Sequence, residues 1–249
     1  MIQHIIIYMK QRNHIFVICN NIITNNIFKI FDKYIIIIMK IFIIHYKKLQ
    51  NRKHDMIEQL ERLHITNYEF IEHYDRDTLN DSDKIMFEDD YKPCQIAITL
   101  SHIYAYKQIS EKYDCGIIFE DDAILHPDFI NIYNDYMDQL PRNFDMFFIG
   151  HGCNLHIEFQ NIKSDCNVYK KQETRCTDSY LVSKKCAKNI VNYVDNIQYK
   201  INSPVDLWLN TVFKDLDLEI YWAEPHIVVQ GTMTGKYPSS HLYEGAIVF

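Results

Sequence analysis

Glu120, Asp121 and Asp122 stand in a row directly after Ile117-Ile118-Phe119. The apolar run is short, β-branched and aromatic, and Gly116 precedes it, so it reads as a buried strand. Unpaired carboxylates at the rim of a core are costly, so something must compensate them. At the carboxyl end of a parallel strand the natural compensation is a ligand. Hard oxygen donors there suit Mg2+ or Mn2+, with a phosphate-bearing substrate completing the shell. Asp122, last in the cluster and furthest out from the strand, is the expected metal ligand. Glu120 is a second metal ligand or an acceptor for ribose or sugar hydroxyls. Asp121 points to the opposite side if strand geometry persists, and so supports the ion from behind, caps a helix or forms a salt bridge. The bland alternative is a solvated acidic turn. The order of strand, acids and a helix start at Pro127 speaks against it.

The surrounding elements alternate. Residues 35–45 read as a buried strand and 51–64 as an amphipathic helix with Met56, Leu60 and Leu63 on one face. A second strand follows at 68–71, then an acidic loop at 79–91. Pro93 opens a helix to about Lys112, with Ile96, Leu100 and Ile103 at helical spacing. After the acidic strand come a helix at 127–140, a strand at 144–149 broken by Gly150 and Gly152, and a strand at 177–182. Helices at 183–194 and 203–214 and short strands at 218–222 and 227–230 complete the pattern. The order is that of a parallel nucleotide-binding half in an α/β fold. No GxGxxG follows the first strand and no GxxxxGK[ST] occurs, so the binding modes that need those loops are not supported.

The 249 residues, 47% of them hydrophobic, suit one large α/β domain with a sizeable core. A net charge of -7 without a basic block argues against nucleic-acid binding. The seven cysteines are scattered, without a CxxC pair or cysteine–histidine zinc spacing. They read as reduced thiols in a cytoplasmic setting. The longest apolar run, 34–44, is interrupted by Lys40 and too short to span a membrane. Residues 1–38 alternate Ile clusters with Asn pairs and read as an atypical extension ahead of a functional domain at 39–249. A secretory pattern is not evident there.

Five blocks fall in an order that belongs to a known family. They are Ile41-Phe42-Ile43-Ile44-His45-Tyr46-Lys47-Lys48 with Arg52; Phe70-Ile71-Glu72-His73-Tyr74-Asp75; and Lys92-Pro93-Cys94-Gln95 running to Ser101-His102-Ile103. The last two are Phe119-Glu120-Asp121-Asp122-Ala123, and Pro204-Val205-Asp206 with Glu224-Pro225-His226 to Gln230 and Ser239-Ser240. From about Met39 to Ser240 the chain resembles glycosyltransferase family 25, the lipopolysaccharide and procollagen β-galactosyltransferases. The resemblance implies a GT-A-like single domain with a mostly parallel nucleotide-binding sheet flanked by helices. It also implies a UDP-sugar donor, inversion at the anomeric carbon, and a glycan or hydroxyl-bearing acceptor such as hydroxylysine. The donor-contacting positions it implies are Ile44, His45, Arg52, Asp75, Gln95, Ser101, His102, Glu120, Asp121, Gln230 and Ser239. Gln95 replaces the family's usual glutamate, and Cys94 and Ala97 replace small glycine positions.

Inverting transfer needs a base for the acceptor hydroxyl. Asp206 is the first candidate and Asp178 the second. Ser203-Pro204-Val205-Asp206 equally fits a helix start, with Ser203 as cap and Asp206 as a capping-box acid. The family often has an acid after this aspartate, where this chain has Leu207. Lys47, Lys48 and Arg52 are placed to meet a diphosphate, although a solvated turn would use the same residues. Gly231 and Gly235 suit a lid, and His226 or His241 could add a late metal ligand. Two other functions fit the acids: a metal-dependent phosphohydrolase or nucleotidyltransferase, and an inactive nucleotide-sugar-binding domain.

Overall fold

The computed structural model describes residues 7–11, 14–18 and 39–239. Strands β1 (Ile7–Gln11) and β2 (His14–Ile18) pair as an antiparallel hairpin, for which the sequence shows no turn chemistry. The central sheet has the order β4-β3-β5-β9-β7-β10-β8. Its strands are β3 (Lys40–Ile44), β4 (Tyr68–Ile71), β5 (Cys115–Glu120), β7 (Met146–Phe148), β8 (Val168–Lys170), β9 (Ser179–Ser183) and β10 (Ile220–Ala223). Five strands run one way, and β8 and β9 run against them. A two-stranded ribbon, β6 (Ala123–Leu125) with β11 (Val228–Gln230), lies beyond the end of β5.

Helices cover both faces, so the central strands are apolar on both sides over most of their length, and their side chains sort by parity. Phe42, Ile118, Tyr180, Phe148 and Trp222 enter one core layer, with helices α3 (Pro93–Lys112), α5 (Lys184–Asp195) and α6 (Val205–Leu216). Ile43, Phe119, Leu181, Phe147 and Tyr221 enter the other, with α1 (Gln50–Arg62) and α4 (Phe129–Gln139). This is an α/β fold with a mostly parallel central sheet flanked by helices, as the family resemblance implies. No helix among the described residues is long and apolar enough to cross a membrane.

Ile44 pairs with Ile71 on one side and Glu120 on the other, so three strands end level. Antiparallel β9 brings its start to the same edge, where Glu120 N–H donates to Asp178 O at 2.9 Å. The segments after β3, β5 and β7 and before β9 therefore converge on one rim.

Several boundaries differ from expectation. The part of the first strand before residue 39 lies outside the described residues. The acidic loop contains a short helix, α2 (Asp81–Lys84), closed by a reciprocal Asn80–Asp83 capping box. Pro127 lies in a turn, and α4 starts at Phe129. α6 starts at Val205, so extended Pro204 is its cap; Ser203 does not cap it, and Asp206 falls at its second position.

At Gly116 an added Cβ would lie 2.7 Å from Ile109 Cδ1 of α3. Gly116→Ala is expected to cost about 1–3 kcal/mol by overpacking. In urea unfolding, the double variant with Ile109→Ala should lose less than the sum of the two single losses; additive losses would show that the contact does not matter.

Candidate active site

The parity of β5 continues into its acids. Glu120 turns toward α3 and Asp121 toward α1, the two helices that supply their partners. Asp121 accepts from Arg52 Nη1 at 2.8 Å and from Tyr46 N–H at 3.3 Å, and lies 2.8 Å from His45 Nδ1. Both side chains are buried, and breaking such a pair costs about 3–5 kcal/mol because a charge is stranded. Arg52 Nη2 donates to Pro238 O at 2.6 Å. Two Arg52 donors are thus used on the wall of the site.

Glu120 accepts from Thr177 Oγ1 at 2.8 Å, and His102 Nε2 lies 3.6 Å from it. His102 Nδ1 is 2.7 Å from Tyr180 Oη, which is 2.6 Å from Tyr106 Oη. Asp122 is only 2% exposed. Its Oδ2 accepts from Thr232 Oγ1 at 2.7 Å. Its Oδ1 is buried with no hydrogen-bond partner among the described residues. Burial, with Glu120 beside it, pushes the Asp122 carboxyl up to about 6. An orphaned carboxylate oxygen next to a second acid is the donor set that a hard divalent cation would satisfy. Asp122 with Glu120 would hold it.

Two clefts open at this rim and share Ile98, Glu120 and Gln230 as a common wall. The first, about 530 Å3, is lined by Ile44, Arg52, Asp121, Asp122 and Ser239. The second, about 850 Å3, is lined by Gln95, Thr177 and Asp206. His45 and Ser101 border a recess beside the first cleft, and Ser101 Oγ donates back to Ala97 O at 2.8 Å.

Other expected residues stand elsewhere. Asp75 accepts from Asp77 N–H at 3.0 Å and caps its own turn. Lys48 pairs with Asp77, and Lys47 is exposed. Asp178 is 1% exposed and lies against Gly150 and Gly152, where a Cβ on either glycine would strike its carboxylate. His102 is wholly buried. Gly231 is a close-packing position, since a Cβ there would press on Tyr237 and on Asp122 O at 2.8 Å; Gly235, at φ +77°, is the turn residue of this loop. Ser240 and His241 lie outside the described residues.

His156, Glu224 and His226 offer ligand atoms within 4.8 Å of one another. There Arg175 Nη2 already meets Glu224 at 2.8 Å and balances its charge. Burial pushes His226 down to about 4.

Sequence reasoning missed Tyr46, Arg76, Thr177, Thr232, Cys153 and Cys176. Arg76, whose guanidinium lies 4.1 Å over the Tyr46 ring, lines the first cleft and directly follows Asp75. Thr232 follows Gly231. Adjacency to a motif was the available signal for both.

Burial, aided by Glu120 and Asp122, raises Asp178 from 3.8 to about 8. The folded chain then keeps a proton that the unfolded chain releases. Its stabilising contribution is complete below pH 3.8 and fades as pH rises to about 8. The stability of the wild type relative to Asp178→Asn should fall across that window, at most by about 1.4 kcal/mol per pH unit. Denaturant midpoints of both proteins from pH 4 to 8 check this; a constant difference would show that Asp178 is ionised throughout.

The profile of glycosyltransferase family 25 (LPS biosynthesis protein) matches residues 38–209. No curated protein matches the chain. Among solved structures, a glycosyltransferase involved in glycosylation of the major capsid of PBCV-1 is 14% identical, with a TM-score of 0.44. The match covers 77% of this chain and 93% of that one. A mutant Drosophila β1,4-galactosyltransferase 7, solved with manganese, UDP-Gal and xylobiose, is 13% identical, with a TM-score of 0.37. Here 74% of this chain and 65% of that one are covered. The match over most of the described domain, containing the acidic strand and Asp206, makes this chain a member of glycosyltransferase family 25.

Proposed function

We propose that the protein moves a hexose-type sugar from a UDP-sugar to a hydroxyl of a glycan or of a side chain such as hydroxylysine, with inversion and with Mg2+ or Mn2+ bound at Asp122 and Glu120. The observation that carries this reading is the orphaned Asp122 Oδ1 beside Glu120, on a wall that separates two clefts. One cleft suits a donor diphosphate and the other an acceptor.

In this reading the cation, when bound, offsets the charge that builds on the departing diphosphate. Arg76 adds positive charge to the donor cleft, and Thr232 and Arg52 hold its wall. Asp206, half-buried in the second cleft, takes the proton from the acceptor hydroxyl as its oxygen attacks the anomeric carbon. The bond from that carbon to the phosphate oxygen breaks, and UDP leaves with the electron pair. Burial and the charge of Glu120 raise Asp206 above the usual carboxylate range, toward the working pH that a general base needs. Asp178 is buried behind the wall, which favours Asp206 as base.

The test is UDP release from a panel of UDP-sugars with Mn2+, with and without candidate acceptors. One donor should give metal-dependent release, and Asp122→Asn should abolish it. Release of inorganic phosphate or pyrophosphate instead would favour a phosphohydrolase or nucleotidyltransferase. Tight metal-dependent UDP binding without release, under every acceptor tried, would favour a binding domain.

Asp206→Asn should lower kcat by about 10^2–10^4-fold while leaving UDP affinity unchanged. An unchanged kcat would remove Asp206 as the base.

A further inference from the structure

Cys153 and Cys176 lie far apart in sequence, yet their sulfurs are 3.0 Å apart, with the Cys176 thiol donating to Cys153. Each sits in the left-handed backbone region, at φ 51° and 57°, as does Asn154 at φ 56°. Residues with a Cβ adopt that region only where their surroundings hold them in it. Gly152 explains the approach of the two segments. A Cβ there would strike Arg175 O and Cys176 Cβ, so its bare backbone lets one loop press directly on the other. Cys153 is exposed and Cys176 half-buried. Both line the second cleft, on the same wall as Thr177 and together with Asp206.

We propose that Cys153 and Cys176 are a thiol–disulfide modification site, which a small-molecule disulfide such as oxidised glutathione converts to an internal bridge across the wall of the second cleft. Closing the bond asks the sulfurs to move only about 1 Å, from hydrogen-bond contact to about 2.05 Å. The exposed Cys153 thiolate attacks one sulfur of the oxidant and releases one small thiol. Cys176, having lost its proton, then attacks Cys153 Sγ and releases the second. Two protein thiols are oxidised and one disulfide is reduced to two thiols. Burial and the neighbouring Cys153 sulfur push the Cys176 thiol up, so Cys153 opens the exchange and Cys176 resolves it.

The bridge would tie the loop after β7 to the segment before β9. Cys176 directly precedes Thr177, whose hydroxyl holds Glu120. Oxidation therefore stiffens the wall between Glu120 and Asp206. Its consequence for an acceptor rests on the proposed function, whereas the bridge itself does not.

The test uses the full chain, equilibrated with reduced and oxidised glutathione in graded ratios, acid-quenched, alkylated, and mapped as peptides without reduction. A single transition should yield a Cys153–Cys176 linked peptide lighter by two hydrogens. The oxidised protein should melt several degrees higher than the reduced one, and dithiothreitol should reverse both changes. Cys153→Ser should melt with the reduced wild type and respond to neither buffer. Cys176→Ser should stop at a glutathione adduct on Cys153. Full alkylation of both thiols under oxidising buffer, a glutathione adduct persisting on wild-type Cys153, or pairing of either thiol elsewhere would overturn the proposal. None of these readouts depends on sugar transfer.

Discussion

Three adjacent carboxylates at the end of a buried strand cannot be neutralised in the same way, and the architecture around the rim follows from that. Strand parity sends Glu120 and Asp121 to opposite layers, so two helices are needed. α1 carries Arg52 to Asp121, with His45 from the end of β3 beside it. α3 carries His102 to Glu120, and the start of β9 carries Thr177. Asp122 has left the strand and, among the described residues, receives only hydroxyl and backbone donors. Two of the acids are held by this scaffold, and the third keeps an oxygen free for chemistry.

The partner of Asp122 comes from the other end of the domain. Thr232 takes Oδ2, while Gly231 N–H donates to Asp122 O at 2.7 Å. The same loop is tied to α1, where Tyr237 Oη donates to Asp55 at 2.6 Å, Lys236 pairs with Asp55, and Arg52 reaches Pro238 O. The residues after β11 are therefore part of the wall of the first cleft, and Gly231 serves close packing. Because Asp122 Oδ2 is held by this loop, a cation bound at Oδ1 would be linked to loop position.

The order of elements was legible because the two periodicities are strong. Ile41 to Ile44 and Ile117 to Phe119 are apolar at every position, as strands covered on both faces must be, and α1 carries a one-sided stripe. β6 and β8 were not legible. Each is three residues long, and Ala123-Ile124-Leu125 has no pattern apart from its pairing with β11. The antiparallel insertion of β9 was equally hidden, since order along the chain does not fix order in a sheet. At the site, acids at a strand end carry their own signal, whereas Arg76, Thr177, Thr232 and the cysteine pair acquire meaning only through contacts distant in sequence. Asp75 and Asp178 show the converse. A carboxylate that caps a turn and one buried beneath two glycines look the same in sequence as one that faces a substrate.

Electrostatics then separates the acids that remain. Asp122 and Asp178 are raised first by burial and further by neighbouring negative charge, so both resist ionising together with Glu120. A cation at Asp122 would relieve Asp122 directly, while burial of Asp178 behind Gly150 and Gly152 pushes it toward the protonated form. Asp206 differs in its exposure: it is half-buried and lines the second cleft. It too is raised by burial and by Glu120, but it sits in the first turn of α6, where backbone N–H groups and His102 oppose the rise. A half-buried carboxylate open to a cleft can accept a proton and release it again. A sealed one has no access to an acceptor hydroxyl, and that difference, rather than residue type, is what separates a candidate base from a structural acid here.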